Sequence, residues 1–158
     1  METVGALLKK QQAGMSLQKS SETLLVHENG ESALSIYQGE LKQETVAKNV
    51  AKIKAAFPAL PKDFFTLLID RAKDKGFSDA RLTDAVNNVI DTCQYPTPTL
   101  ANFLSFDKRV KVFNYSEMCN AITNSGFSSS SFAQLRINGK LFWVKQSDKE
   151  VFNLPDEI

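Results

Sequence analysis

From Thr45 the apolar positions recur at three- and four-residue steps, Val46, Val50, Ile53 and Phe57, with Lys48, Lys52 and Lys54 lying off the stripe. That spacing predicts an amphipathic helix. Pro58 ends it, because the residue before a proline is pushed out of the α region. Pro61 near a first helical position and Asp63 in a first turn open a second helix, with Phe64, Leu67, Leu68 and Ala72 as its core face and Gly76 as its left-handed cap. Ser78 is a good N-cap for a third, whose stripe runs through Leu82, Ala85, Val86, Val89, Ile90 and Cys93 until Tyr95-Pro96 stops it. In Pro96-Thr97-Pro98-Thr99, Thr97 can cap a short fourth helix with Pro98 at its first position, burying Leu100, Phe103 and Leu104.

After Asp107 the pattern changes. Lys108-Arg109-Val110-Lys111-Val112-Phe113 alternates basic and apolar residues in its second half and predicts a half-buried extended segment. Ser116 can cap a short helix carrying Met118, Cys119 and Ile122, closed by Gly126. Two strand-like runs, 132–137 and 140–145, flank Asn138-Gly139, the strongest short-range signal for a hairpin with a type I′ turn. Val151-Phe152-Asn153-Leu154 is a candidate third strand. Upstream, Asn29-Gly30 marks a turn, either inside a hairpin of 23–27 with 33–37 or between short helices.

The expected fold is mainly α, of the α+β class: a compact multi-helix domain with a C-terminal β-hairpin packed on it, Trp143 serving as an anchor. The expected division is a flexible N-terminal arm over 1–22, a helical domain over 23–126, and a hairpin appendage over 127–158 on the same domain. A chain of 158 residues buries a sizeable core without disulfides or metals.

Charge changes the picture little. Nineteen Lys and Arg against 18 Asp and Glu leave a net charge of +1, which gives no support to a dedicated nucleic-acid binder. No signal peptide and no run approaching a membrane span is evident, and Cys93 and Cys119 show no Cys-x-x-Cys pattern. The expectation is therefore a cytoplasmic protein with free thiols and no membrane association.

Candidate chemistry is sparse. His27, the single histidine, stands beside a turn signal with no cluster of cysteines or carboxylates around it. A Gly-rich phosphate loop and a Gly-x-Ser-x-Gly elbow are both absent, and the carboxylates Asp63, Asp70, Asp74, Asp79, Asp84 and Asp91 fall on solvated helix faces or ends. The expectation is no enzyme, no cofactor and no metal site. What remains is binding. The corner Tyr95, Thr97, Thr99 and Asn102 carries polar side chains on a proline-stiffened turn. Lys108, Arg109 and Lys111, with Phe106, Phe113 and Tyr115 interleaved, can touch phosphates and stack on bases. A winged-helix arrangement, with the C-terminal hairpin as the wing, is a minor variant, since the serine-rich connector supplies no recognition helix.

The central stretch also resembles the N-terminal helical module of bacteriophage and bacterial helicase loader and inhibitor proteins. The residues that carry the resemblance are Phe57-Pro58, the helix with Phe64, Phe65, Leu67 and Leu68, the helix with Ala85-Val86 and Val89-Ile90, and the turn Tyr95-Pro96-Thr97-Pro98-Thr99-Leu100-Ala101. It covers about a third of the chain. The whole chain looks like uncharacterised proteins of phage or mobile-element type. The resemblance implies a non-enzymatic adaptor whose partner is a replication protein, the replicative helicase. The alternative is a nucleic-acid-binding accessory protein using Lys108, Arg109, Lys111 and Tyr115 with the hairpin.

Overall fold

A computed structural model of the chain describes residues 25–158. The arm expected at 1–22 lies outside the described residues. The described residues form an α+β structure of six helices and two small sheets, divided into two compact units. One unit is residues 37–108. The other joins the described residues up to Ile36 to Arg109–Ile158. These limits differ from the expected 23–126 and 127–158 because the strand at 31–35 is hydrogen-bonded to the strand at 109–112. Both flanks of the helical stretch are thereby tied to the unit that contains the hairpin.

The unit 37–108 is all helical: α1 (Gln43–Ala56), α2 (Lys62–Asp74), α3 (Asp79–Thr92) and α4 (Leu100–Leu104). Its core gathers Val46, Ile53 and Phe57 with Phe65, Leu68 and Ala72, the apolar stripe of α3, and Phe103, whose side chain is wholly buried. The α2 face is rotated from the expected one. Phe65 is buried and Phe64 half-buried, whereas Leu67 is exposed. Phe64 meets both Phe65 and Phe103 edge-on, at centroid distances of 5.7 and 6.0 Å, so α2 turns to place its aromatic pair between its neighbours.

Local chemistry fixes the helix ends. The N–H of Gly76 donates to Lys73 O at 3.0 Å and that of Phe77 to Ala72 O at 3.0 Å, the paired bonds of a Schellman ending. It requires the left-handed φ of +67° that Gly76 adopts, and Phe77 then packs in the same core as Ala72. Buried Ser78 caps α3 by accepting from Arg81 N–H at 3.2 Å. The fourth helix starts two residues later than expected. Thr99, not Thr97, is its N-cap, and Pro98 is buried ahead of it.

The two ends of this unit meet at one carboxylate. Asp84 Oδ2 on α3 accepts from the Tyr37 hydroxyl at 2.7 Å and from Lys108 Nζ at 3.4 Å. Burial first, then the hydrogen bond and charge of Asp84, hold the Tyr37 phenol well above the ordinary tyrosine range. Topologically the unit is an insertion in the connection between two adjacent antiparallel strands, whose register places Ser35 opposite Arg109.

The mixed unit begins with β1 (Leu25–Glu28) and β2 (Glu31–Ser35), joined through Asn29-Gly30 at φ +52° and +78°. Two consecutive positive φ values make the type I′ turn, which resolves the open choice at this site in favour of a hairpin. β3 (Arg109–Val112) pairs antiparallel with β2 and buries Val110 and Val112 beside Leu34. The next helix, α5 (Tyr115–Ser125), is capped by Asn114 rather than by Ser116. Asn114 Oδ1 accepts from Glu117 N–H at 2.8 Å while Glu117 accepts from Asn114 N–H at 2.8 Å, a reciprocal pair.

The expected C-terminal hairpin forms as β4 (Phe132–Ile137) and β5 (Lys140–Lys145), with Asn138-Gly139 at φ +51° and +76°. Leu135, Ile137 and Val144 share a core with Leu34, Val110, Val112 and Leu154, so the three-stranded sheet is the hairpin's packing partner within this unit. The stretch around Val151–Leu154 is no strand, because Gln146–Val151 forms α6. The third strand position is taken instead by the last residues. Ile158 N–H donates to Arg136 O at 2.7 Å and Arg136 N–H to Asp156 O at 2.9 Å, which covers the free edge of β4.

Candidate functional site

One candidate lies at the corner between α3 and α4. Cys93 ends α3, its N–H donating to Val89 O at 2.9 Å, and its thiol points to Tyr95 O at 3.4 Å. Pro96 and buried Pro98 then restrict the backbone up to Thr99. Asn102 Oδ1 accepts from the Thr99 N–H at 2.7 Å and from its hydroxyl at 2.9 Å. Thr99 and Asn102 are therefore engaged with each other in holding the start of α4. Tyr95 has no such duty: its side chain is 75% exposed.

Tyr95 and Asn102 border an open cleft of about 230 Å³, with Asn88, Thr92, Cys93 and Gln94 among its other walls. Of the four residues singled out from the sequence, the structure brings these two to the cleft, while Thr97 is exposed and Thr99 works as the cap. Sequence reasoning missed Asn88 and Thr92. They stand one turn apart on the polar side of α3, a spacing that also marks an ordinary solvated face, so proximity to the Tyr95 turn was the missing signal. The lining offers three amides, one hydroxyl, one thiol and one phenol, groups that hydrogen-bond and pack against a ligand.

The basic candidates are distributed over both units, since the division falls between Lys108 and Arg109. Lys108 engages Asp84 in the helical unit. Arg109 lies 3.2 Å from Glu28, and Lys111 lies 2.6 Å from Glu31. Each cation thus faces a carboxylate that competes with any phosphate. Tyr115 stands apart from them, 66% exposed and 5.7 Å from the Trp143 ring centre.

His27 is exposed on β1, its Nδ1 2.9 Å from the Ser32 hydroxyl. Both cysteines are free thiols. Among the described residues no group of three or more His, Cys, Asp or Glu side chains is placed to hold a metal ion. No helix among them is long and apolar enough to cross a membrane.

No protein-family model, curated protein or solved structure matches this chain. The fold and site define an α+β protein with an inserted helical unit and an exposed aromatic corner.

Proposed function

We propose that this protein is a non-enzymatic cytoplasmic adaptor that docks a replication protein, the replicative helicase, through the Tyr95 corner of its helical unit. The observation that carries this reading is the position of Tyr95. A large amphipathic ring projects from a backbone stiffened by Pro96 and Pro98 and held by the Thr99–Asn102 cap, beside a neutral cleft. Tyrosine is enriched among the residues that dominate protein interfaces, and a rigid backbone limits the entropy lost on docking. The helicase as the partner comes from the resemblance of the central stretch.

The test is calorimetric titration of the full chain against the replicative helicase encoded in the same genome. Tyr95→Ala is expected to weaken binding about 30-fold or more, the loss typical of a dominant interface residue at ~2 kcal/mol. Tyr115→Ala, in the other unit, is expected to leave it unchanged. Absence of binding by the unaltered chain, or equal affinity of the Tyr95→Ala variant, overturns the proposal.

A further inference from the structure

The alternation of the C-terminal hairpin sends Leu135, Ile137 and Val144 inward and leaves Gln134, Arg136, Leu141, Trp143 and Lys145 on the opposite face, Gln134 opposite Trp143 and Arg136 opposite Leu141. Phe113 exchanges two backbone hydrogen bonds with Trp143, at 2.8 and 2.9 Å, which carries the following residues onto this face. Tyr115 consequently lies beside the indole, the two rings 5.7 Å apart and inclined at 56°. Phe113 and Phe132, buried and edge-to-face at 5.2 Å, lie beside Trp143 on the same face, so the exposed Tyr115 ring and the half-buried indole adjoin a packed aromatic cluster. The outcome is a fixed platform of Tyr115, Trp143 and Leu141.

Cations border this platform. Lys145 Nζ stands 5.0 Å from the Phe127 ring centre. Arg136 is exposed, and its neighbour Asp156 is taken by Lys149. Neither Arg136 nor Lys145 has an ion-pair partner among the described residues, unlike Arg109 and Lys111. Flat rings beside cations that carry no ion pair among the described residues match a chain that presents both π faces and phosphates.

We propose that this face binds single-stranded nucleic acid. Bases stack on Tyr115 and Trp143, Arg136 and Lys145 meet the flanking phosphates, and the Gln134 amide faces a base edge. Stacking is sequence-tolerant and requires bases free of a duplex. The near-neutral chain makes stacking, rather than phosphate neutralisation, the main source of affinity. Two phosphate contacts imply a shallow salt dependence, with a slope of about −1.4 in log K against log salt.

Trp143 is the only tryptophan in the chain, so its fluorescence reads the site directly. The experiment titrates the full chain with a short oligothymidylate, an oligouridylate and a duplex of equal length, at low and raised salt. The expected result is saturable quenching by the single strands, with the duplex much weaker. Tyr115→Ala is expected to lower affinity about 5- to 150-fold, and Arg136→Gln to reduce the salt slope by about 0.7. Both side chains are exposed, so loss of fold does not confound the result, and circular dichroism confirms it. Tyr95→Ala, in the helical unit, leaves the quenching unchanged, which separates this site from the adaptor corner. Absence of quenching at low salt, equal affinity for the duplex, or an unaffected Tyr115→Ala variant overturns the proposal. So does quenching by an apolar peptide where oligonucleotides give none, which assigns the face to a protein partner.

Discussion

Removal of one hydroxyl, by Tyr37→Phe, tests how the inserted unit is closed. The Tyr37 ring is 7% exposed and packs 6.4 Å from the Phe106 ring, contacts that phenylalanine keeps. What is lost is the 2.7 Å hydrogen bond to Asp84 Oδ2. A hydrogen bond to a charged group contributes about 1.5–3 kcal/mol. Asp84 retains Lys108 at 3.4 Å and is partly exposed, so its carboxylate is not stranded and the lower part of that range applies. A loss of about 1.5–2 kcal/mol corresponds to a fall in Tm of roughly 6–16 °C for a unit of 60–100 residues such as this one. Alkaline pH supplies a second signature. The folded-state pKa of Tyr37 is raised above its unfolded value, so its stabilisation is complete below pH ~10 and declines above it, as the unfolded chain sheds the phenolic proton that the folded chain keeps. Between pH ~10 and the raised folded value the native chain should lose stability more steeply than Tyr37→Phe, by about 1.4 kcal/mol per pH unit. Urea unfolding followed by circular dichroism at neutral and alkaline pH measures both quantities. Equal neutral stability together with parallel alkaline slopes would refute the role assigned to this hydroxyl.

Asn49 in α1 is 2% exposed and donates from Nδ2 to Thr45 O at 2.9 Å and Thr83 Oγ1 at 3.1 Å, while its Oδ1 has no partner among the described residues. The isosteric Asn49→Leu gives up two ordinary hydrogen bonds, removes a stranded acceptor that costs about 1–3 kcal/mol, and adds buried apolar surface, so urea unfolding should show a gain of about 1 kcal/mol; destabilisation by more than that amount contradicts this account. The helical unit also has its own core, from Val46 to Phe103, and its ends converge on Asp84. Expressed alone, residues 37–108 should unfold cooperatively on heating, and a broad, non-cooperative transition would show that they depend on the mixed unit.

The three long helices were legible because each carries an apolar stripe with period 3.6 and a local stop: Pro58 after α1, Gly76 after α2, Tyr95-Pro96 after α3. Their packing was less so. Whether Phe64 or Phe65 turns inward depends on Phe103, which arrives some forty residues later, and no local pattern carries that information. Caps were legible as types and ambiguous as positions. Thr97 and Thr99 are both acceptable N-caps, and Asn102 decides in favour of Thr99 by placing its Oδ1 three residues on. The same holds for Ser116 against Asn114, decided by Glu117. Least legible was the split of the chain, because a pairing between residues 32–35 and 109–112 spans the whole helical insertion.

The caps also separate binding residues from structural ones. Thr99 and Asn102 are polar and exposed, yet their oxygens are engaged with each other, so they position the corner more than they read a partner. Tyr95 lies just ahead of that cap, and Tyr115 directly follows the reciprocal Asn114–Glu117 cap of α5. In both places an exposed ring is attached to backbone whose conformation is already fixed by side-chain hydrogen bonds. Only two side-chain torsions remain to be ordered on binding, for a large contact area. Leu67 and Val151 are comparably exposed but lie at the middle of α2 and the last position of α6, and neither borders the Tyr95 cleft or packs on Trp143. Isolated apolar exposure of that kind is normal for a protein surface. Exposure alone therefore ranks Val151 with Tyr95, whereas exposure combined with a pre-set backbone and an adjoining cleft or packed ring selects the two tyrosines.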